Sequence, residues 1–169
     1  MTNRNAVDAD ECAKLVKRSM DNFNCREKYL IEHNLSERCI CARFARYLED
    51  ELHRNGLRDY VVDVEYNRNA GDSSGNPKSL PAKRMGACKR IVVDLIAHKR
   101  GAGSDHNLIC IEMKKLTNQK NLESDEERLR RFTNPYGDFC YVSGFMIIID
   151  NNPERHNYQL EISSKYPEA

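Results

Sequence analysis

Two carboxylates and an ammonium, Asp94, Glu112 and Lys114, stand inside strings that are otherwise mostly Ile, Val and Leu: IVVDLIAH over 91–98 and NLICIEMKK over 107–115. The two-residue side-chain period of a strand puts Leu108, Cys110, Glu112 and Lys114 on one face and Ile109, Ile111 and Met113 on the other. The same rule groups Asp94 with Val92, Ile96 and His98. If the two strands pair through the Gly-containing turn at 100–106, both acids and the lysine converge on one spot at the strand ends. Two buried carboxylates beside one lysine leave a net negative charge, which a hard divalent cation balances. Mg²⁺ prefers one or two carboxylates, several waters and a phosphate, so the chemistry points to a phosphodiester, with Mn²⁺ able to substitute. The plainer alternative makes Asp94 a strand-end acid and Glu112 an ordinary cross-strand ion-pair partner.

An Asp, a turn, and then Glu112-Met113-Lys114 resembles the PD-(D/E)XK phosphodiesterase superfamily, the restriction-endonuclease-like nucleases. Val93 stands where that motif usually has Pro. The strings EYNR (65–68), DLIAHKRG (94–101), NLICIEMKK, Asp125-x-x-Arg128-Leu129 and YVSG (141–144) are similar to small microbial members of that superfamily, and the resemblance runs from about residue 33 to about 150. It implies a restriction-endonuclease-like α/β core, a mixed sheet of about five strands flanked by helices. It also implies a Mg²⁺-dependent nuclease in which Asp94, Glu112 and the main-chain carbonyl of Met113 hold the metal. Lys114, beside carboxylates that favour its charged form, then positions water and offsets developing charge. DNA is expected ahead of RNA, and a homodimer or larger complex suits the cutting of two strands. The alternative is a catalytically silent nucleic-acid-binding or protein-interaction module of a larger defence, repair or mobile-element system.

The elements that must position these groups are legible around them. Residues 8–20 read as a helix with acids early and basic residues late, the sense favoured by the helix dipole. Residues 35–54 read as a longer helix with Ser36 as N-cap and Gly56 as its stop, and with Ile40, Cys41, Phe44, Leu48 and Leu52 as the stripe that packs on the sheet. Glu37 lies on that stripe in the first turn. It either answers the helix dipole or, as the resemblance implies, helps to bind metal or to orient Lys114.

A strand over 58–67 alternates Tyr60, Val62, Val64 and Tyr66 against Val61, Asp63 and Glu65. Glu65 is read as a solvent-facing edge acid, with a fourth site carboxylate as the other option. His98 is an accessory candidate of the same kind, as a phosphate donor or acid, against a strand-end surface histidine. Between the first two strands lies the long segment 67–90, carrying Lys78, Lys83, Arg84, Lys89 and Arg90. It is expected to wrap a phosphate backbone, or else to be a solvated insertion. Arg68 and Arg100 complete the candidate nucleic-acid contacts.

After Lys114 a helix is expected behind a capping box at Ser124 and Glu127, with Leu122, Leu129 and Phe132 as a thin apolar face and its charges as a solvated one, or with Arg128, Arg130 and Arg131 in reach of phosphate. Strands over 139–150 and 157–163 close an α/β domain over 1–169, around a mixed sheet. Lys+Arg 27 against Asp+Glu 26 excludes a generally basic binder and leaves only local patches for nucleic acid. No apolar run is long enough for a membrane span, the N-terminus lacks a signal-peptide core, and seven cysteines without a C-x-x-C pair read as reduced thiols, so a cytoplasmic location is expected and structural zinc is not.

Overall fold

The computed structural model describes residues 7–66, 79–81, 88–90, 92–118, 120–150, 152 and 158–162. Helix α1 (Ala9–Arg26) begins where Asp8 accepts the Glu11 N–H at 2.8 Å, a side-chain N-cap. It runs past the expected end at Met20 because Phe23 packs edge-on against Phe44 and Tyr47, each 5.9 Å away. A short α2 (Lys28–Glu32) follows. Helix α3 (Glu37–Arg54) is capped by Ser36, whose Oγ accepts the Cys39 N–H, and it ends at Gly56, which takes φ +82°. Its residues Ile40, Cys41, Phe44, Leu48 and Leu52 are buried, as the stripe requires.

The strands are β1 (Val61–Val64), the short β2 (Ser79–Pro81) and β3 (Cys88–Arg90), β4 (Leu95–His98), β5 (Asn107–Lys115), β6 (Ser143–Ile149) and β7 (Tyr158–Ile162); α4 (Leu122–Thr133) lies between β5 and β6. A mixed five-stranded sheet runs β1-β4-β5-β6-β7, with β7 antiparallel along the outer side of β6. β4 and β5 are antiparallel neighbours, joined by a turn in which Gly101 takes φ +73°. β5 and β6 are parallel, so a crossover is required, and α4 is that crossover. Within the 67–90 segment, expected to lack structure, β2 and β3 pair as a separate two-stranded ribbon, which satisfies their backbone groups locally.

Two cores sandwich the sheet. Leu95, Ala97, Ile109, Ile111, Met113, Phe145 and Ile147 face α1 and α3, whereas Ile96, Cys110, Met146 and Ile148 face Leu129 and Phe132 of α4. The alternation expected for β5 is thus realised from Ile109 onward.

It fails on both strands at the Val64–Leu95 end of the β1–β4 pair. Tyr60, Val62 and Val64 pack toward α1 and α3, but Tyr66 lies in the α4 core, because Glu65 between them takes φ 51° and turns the chain over. Asp94 sits in a bend before β4, so Val93 and Ile96, three apart, enter the same core. α4 begins at Leu122, behind Asn121 at φ 66°, which places the expected capping residue Ser124 inside the helix.

Candidate functional site

The paired ladder of β4 and β5 ends at Leu95 and Ile111. Beyond it, Asp94 supplies the next acceptor with its side chain: Oδ2 takes the Met113 N–H at 2.8 Å, while its main-chain oxygen takes the Glu65 N–H at 2.9 Å. The carboxyl of Asp94 is thereby fixed across the end of β5, close enough to Glu112 for one carboxyl to hydrogen-bond the other.

Glu112 and Lys114 point to the α4 side and meet α4 residues there. Arg128 Nε donates to Glu112 Oε1 at 2.5 Å, and its Nη2 pairs with Asp125 Oδ1. Asp125 Oδ2 lies 3.1 Å from Lys114 Nζ. A continuous line results, Asp94 to Glu112 to Arg128 to Asp125 to Lys114, in which three carboxylates face two cations. Glu112 is only 2% exposed and Asp125 3%.

The burial of the acids appears in their titration. Burial, reinforced by the charge of Asp94 and opposed by Arg128, pushes Glu112 up to about 8. Burial also raises Asp94, against the Met113 N–H, the Glu112 carboxyl and the charges of Lys114 and Arg128. For Lys114 burial alone acts downward, but the hydrogen bond and charge of Asp125, with Glu37 and Asp94 behind it, outweigh burial and raise it, so it is an ammonium at neutral pH. Near neutrality Asp94 and Glu112 share a proton, and a neutral cluster results.

Glu37 approaches from the first turn of α3. Its Oε1 accepts the Lys115 N–H at 3.2 Å and the Asn118 Nδ2 at 3.0 Å, pinning the end of β5 just after Lys114. Lys115 Nζ reaches the other way, to the main-chain oxygen and Oδ1 of Asn34. Below this end of the sheet lies the Cys41 thiol, raised by its burial and then by the charges of Asp94, Glu37, Glu112 and Glu65.

Other expected residues lie elsewhere. His98 is at the far end of β4, about 13 Å along the strand from Asp94 at 3.3 Å per residue. It is fully buried, with Nε2 2.9 Å from Asp63 Oδ2 and its ring against Tyr66. Arg100 also pairs with Asp63, through Nε at 2.8 Å. Glu65 faces solvent and pairs with Arg38, in the manner of an edge acid. Arg68, Lys78, Lys83 and Arg84, and the side chains of Lys89 and Arg90, lie outside the described residues.

Two residues of the cluster, Asp125 and Arg128, were absent from the expected site. The signal for Asp125 is its place in the α4 stripe: it lies three residues after Leu122, four before Leu129 and seven before Phe132, so an acid faces the sheet. Arg128, three residues on, follows it inward. Among the described residues no group of three or more His, Cys, Asp or Glu side chains is arranged to hold a metal ion, and no helix is long and apolar enough to cross a membrane. No protein-family model, curated protein or solved structure matches the chain.

Proposed function

We propose that this chain is a metal-dependent phosphodiesterase acting on nucleic acid, DNA ahead of RNA, built on a restriction-endonuclease-like core. The observation that carries the reading is the carboxyl pair of Asp94 and Glu112 at the end of two neighbouring strands, raised in pKa and one charge short of balance beside Lys114. An all-oxygen donor pair that burial keeps protonated fits a hard divalent cation such as Mg²⁺. Asp94, Glu112 and the main-chain carbonyl of Met113 are the groups that would hold it. Bound there, it supplies Lewis acidity toward a phosphoryl oxygen and a more acidic water.

The chain's own residues do the rest. Lys114, kept charged by Asp125, orients the attacking water and offsets negative charge building on the phosphoryl oxygens. It is too firmly protonated to act as the base. Glu37 acts through the backbone, holding the Lys115 amide and so fixing the strand end from which Lys114 projects.

A second reading draws on the Arg128–Glu112 ion pair. An internal cation already on the carboxyl suits a silent nuclease-like module that binds nucleic acid without cutting. The test separates the two. Wild type and Lys114→Ala are incubated side by side with linear DNA, circular DNA and RNA in Mg²⁺ and in Mn²⁺. Cleavage by wild type alone supports the enzyme. Equal degradation by both marks a contaminant and removes the support, and retention of nucleic acid without cleavage in Mn²⁺ favours the silent module.

A further inference from the structure

We infer that Arg128 is a positioning residue that gates the carboxyl pair: it occupies Glu112 in the free protein and is drawn off by a substrate phosphate, so that nucleic acid and divalent cation enter together. This rests on the nuclease reading and adds to it an order of binding. Arg128 projects from the second turn of the crossover helix and spans two acids, with Nε on Glu112 at 2.5 Å and Nη2 on Asp125. Its side chain keeps 26% exposure while those of its two partners are at 3% and 4%, so of the three it is the one that solvent and a ligand reach.

A guanidinium on Glu112 and a divalent cation on the same carboxyl repel each other, so the ion pair as it stands opposes cation binding. Its planar fork matches phosphate as well as carboxylate, which gives it somewhere to go. Asp125 remains its partner and also holds Lys114, so movement of Arg128 from Glu112 leaves it tethered and Lys114 in place. The free protein therefore has low cation affinity, and the site forms when phosphate is present.

The test measures Mn²⁺ affinity by calorimetry for wild type, Arg128→Gln and Asp94→Asn, with and without a short phosphorothioate oligonucleotide that resists cleavage. Without oligonucleotide, R128Q is expected to bind Mn²⁺ about tenfold tighter than wild type, and the gain on adding oligonucleotide should shrink by about the same factor. Equal or weaker affinity in R128Q, with wild type binding Mn²⁺ and D94N not, overturns the gate and leaves the nuclease reading standing. Absence of Mn²⁺ binding in wild type with the oligonucleotide present overturns that reading and the gate together. Should R128Q fail to fold, NMR of wild type decides. The Arg128 Nε–H resonance is expected to shift and exchange faster when Mg²⁺ and oligonucleotide are added together, and an unchanged resonance at saturation overturns the gate.

Discussion

Asp94 Oδ2 accepts the Met113 N–H at 2.8 Å, so a side chain on one strand completes the hydrogen bonding of the next at the point where their ladder stops. That bond holds the Asp94 carboxyl against Glu112, close enough for one carboxyl to hydrogen-bond the other. It also ties the acid to the residue between Glu112 and Lys114.

Glu112 titrates at about 8 against an ordinary 4.5, so the folded protein keeps a proton that the unfolded chain releases. The stability linked to this proton is complete below pH 4.5 and is lost as pH rises through about 8; Asp94, also raised, acts in the same sense. Urea unfolding of wild type is expected to show stability falling by several kcal/mol across that window. Glu112→Gln removes most of the slope. A wild-type profile that rises over the same interval would contradict the titration assigned to Glu112.

Asp125 is the shared partner of Lys114 and Arg128 and is almost wholly buried. Its replacement by Ala takes the salt-bridge partner from Lys114 and one of two from Arg128, a loss of about 3–5 kcal/mol. Equilibrium unfolding measures it. A change below about 1 kcal/mol, the usual size for an exposed pair, would show that the cluster is solvated in solution.

His98→Ala separates stability from chemistry. The buried ring loses its bond to Asp63 and its contact with Tyr66, with an expected cost of about 2–4 kcal/mol. Because His98 lies at the other end of β4, Mn²⁺ affinity should stay at the wild-type value. A parallel loss of affinity would return His98 to the site.

Glu37 is tested through the Lys115 amide. Glu37→Ala leaves that N–H without its acceptor, at about 1–3 kcal/mol, and speeds its hydrogen exchange. Glu37→Gln retains a carbonyl oxygen and is expected to restore protection. Unchanged exchange in the Ala variant would show that Glu37 does not anchor this strand end.

What the sequence discloses and what it hides follow from which signals are periodic. β5 was legible to the residue because a run of apolar residues ends in charge, although its faces alternate only from Ile109 onward. Its pairing with β4 followed from the short turn between them. Helix α3 was legible from a cap, a stripe and a stop, but α1 outran its apparent basic end because Phe23 finds aromatic partners on a distant segment. Glu65 and Asp94 each break a strand with one local backbone departure, and no alternation pattern registers that. Asp125 and Arg128 stayed hidden for another reason: in a helix with acids and arginines at most positions, inward and outward charges have the same spelling, and only the apolar spacing around Asp125 distinguishes them.

Asp94 and Glu112 are proposed to form one cation-binding pair. Calorimetric titration of Mn²⁺ in the presence of a phosphorothioate oligonucleotide, on wild type and Asp94→Asn, tests it most directly. Wild type is expected to bind stoichiometrically with proton release near pH 7, and D94N not to bind at the same concentration. Indistinguishable titrations for the two proteins would contradict it.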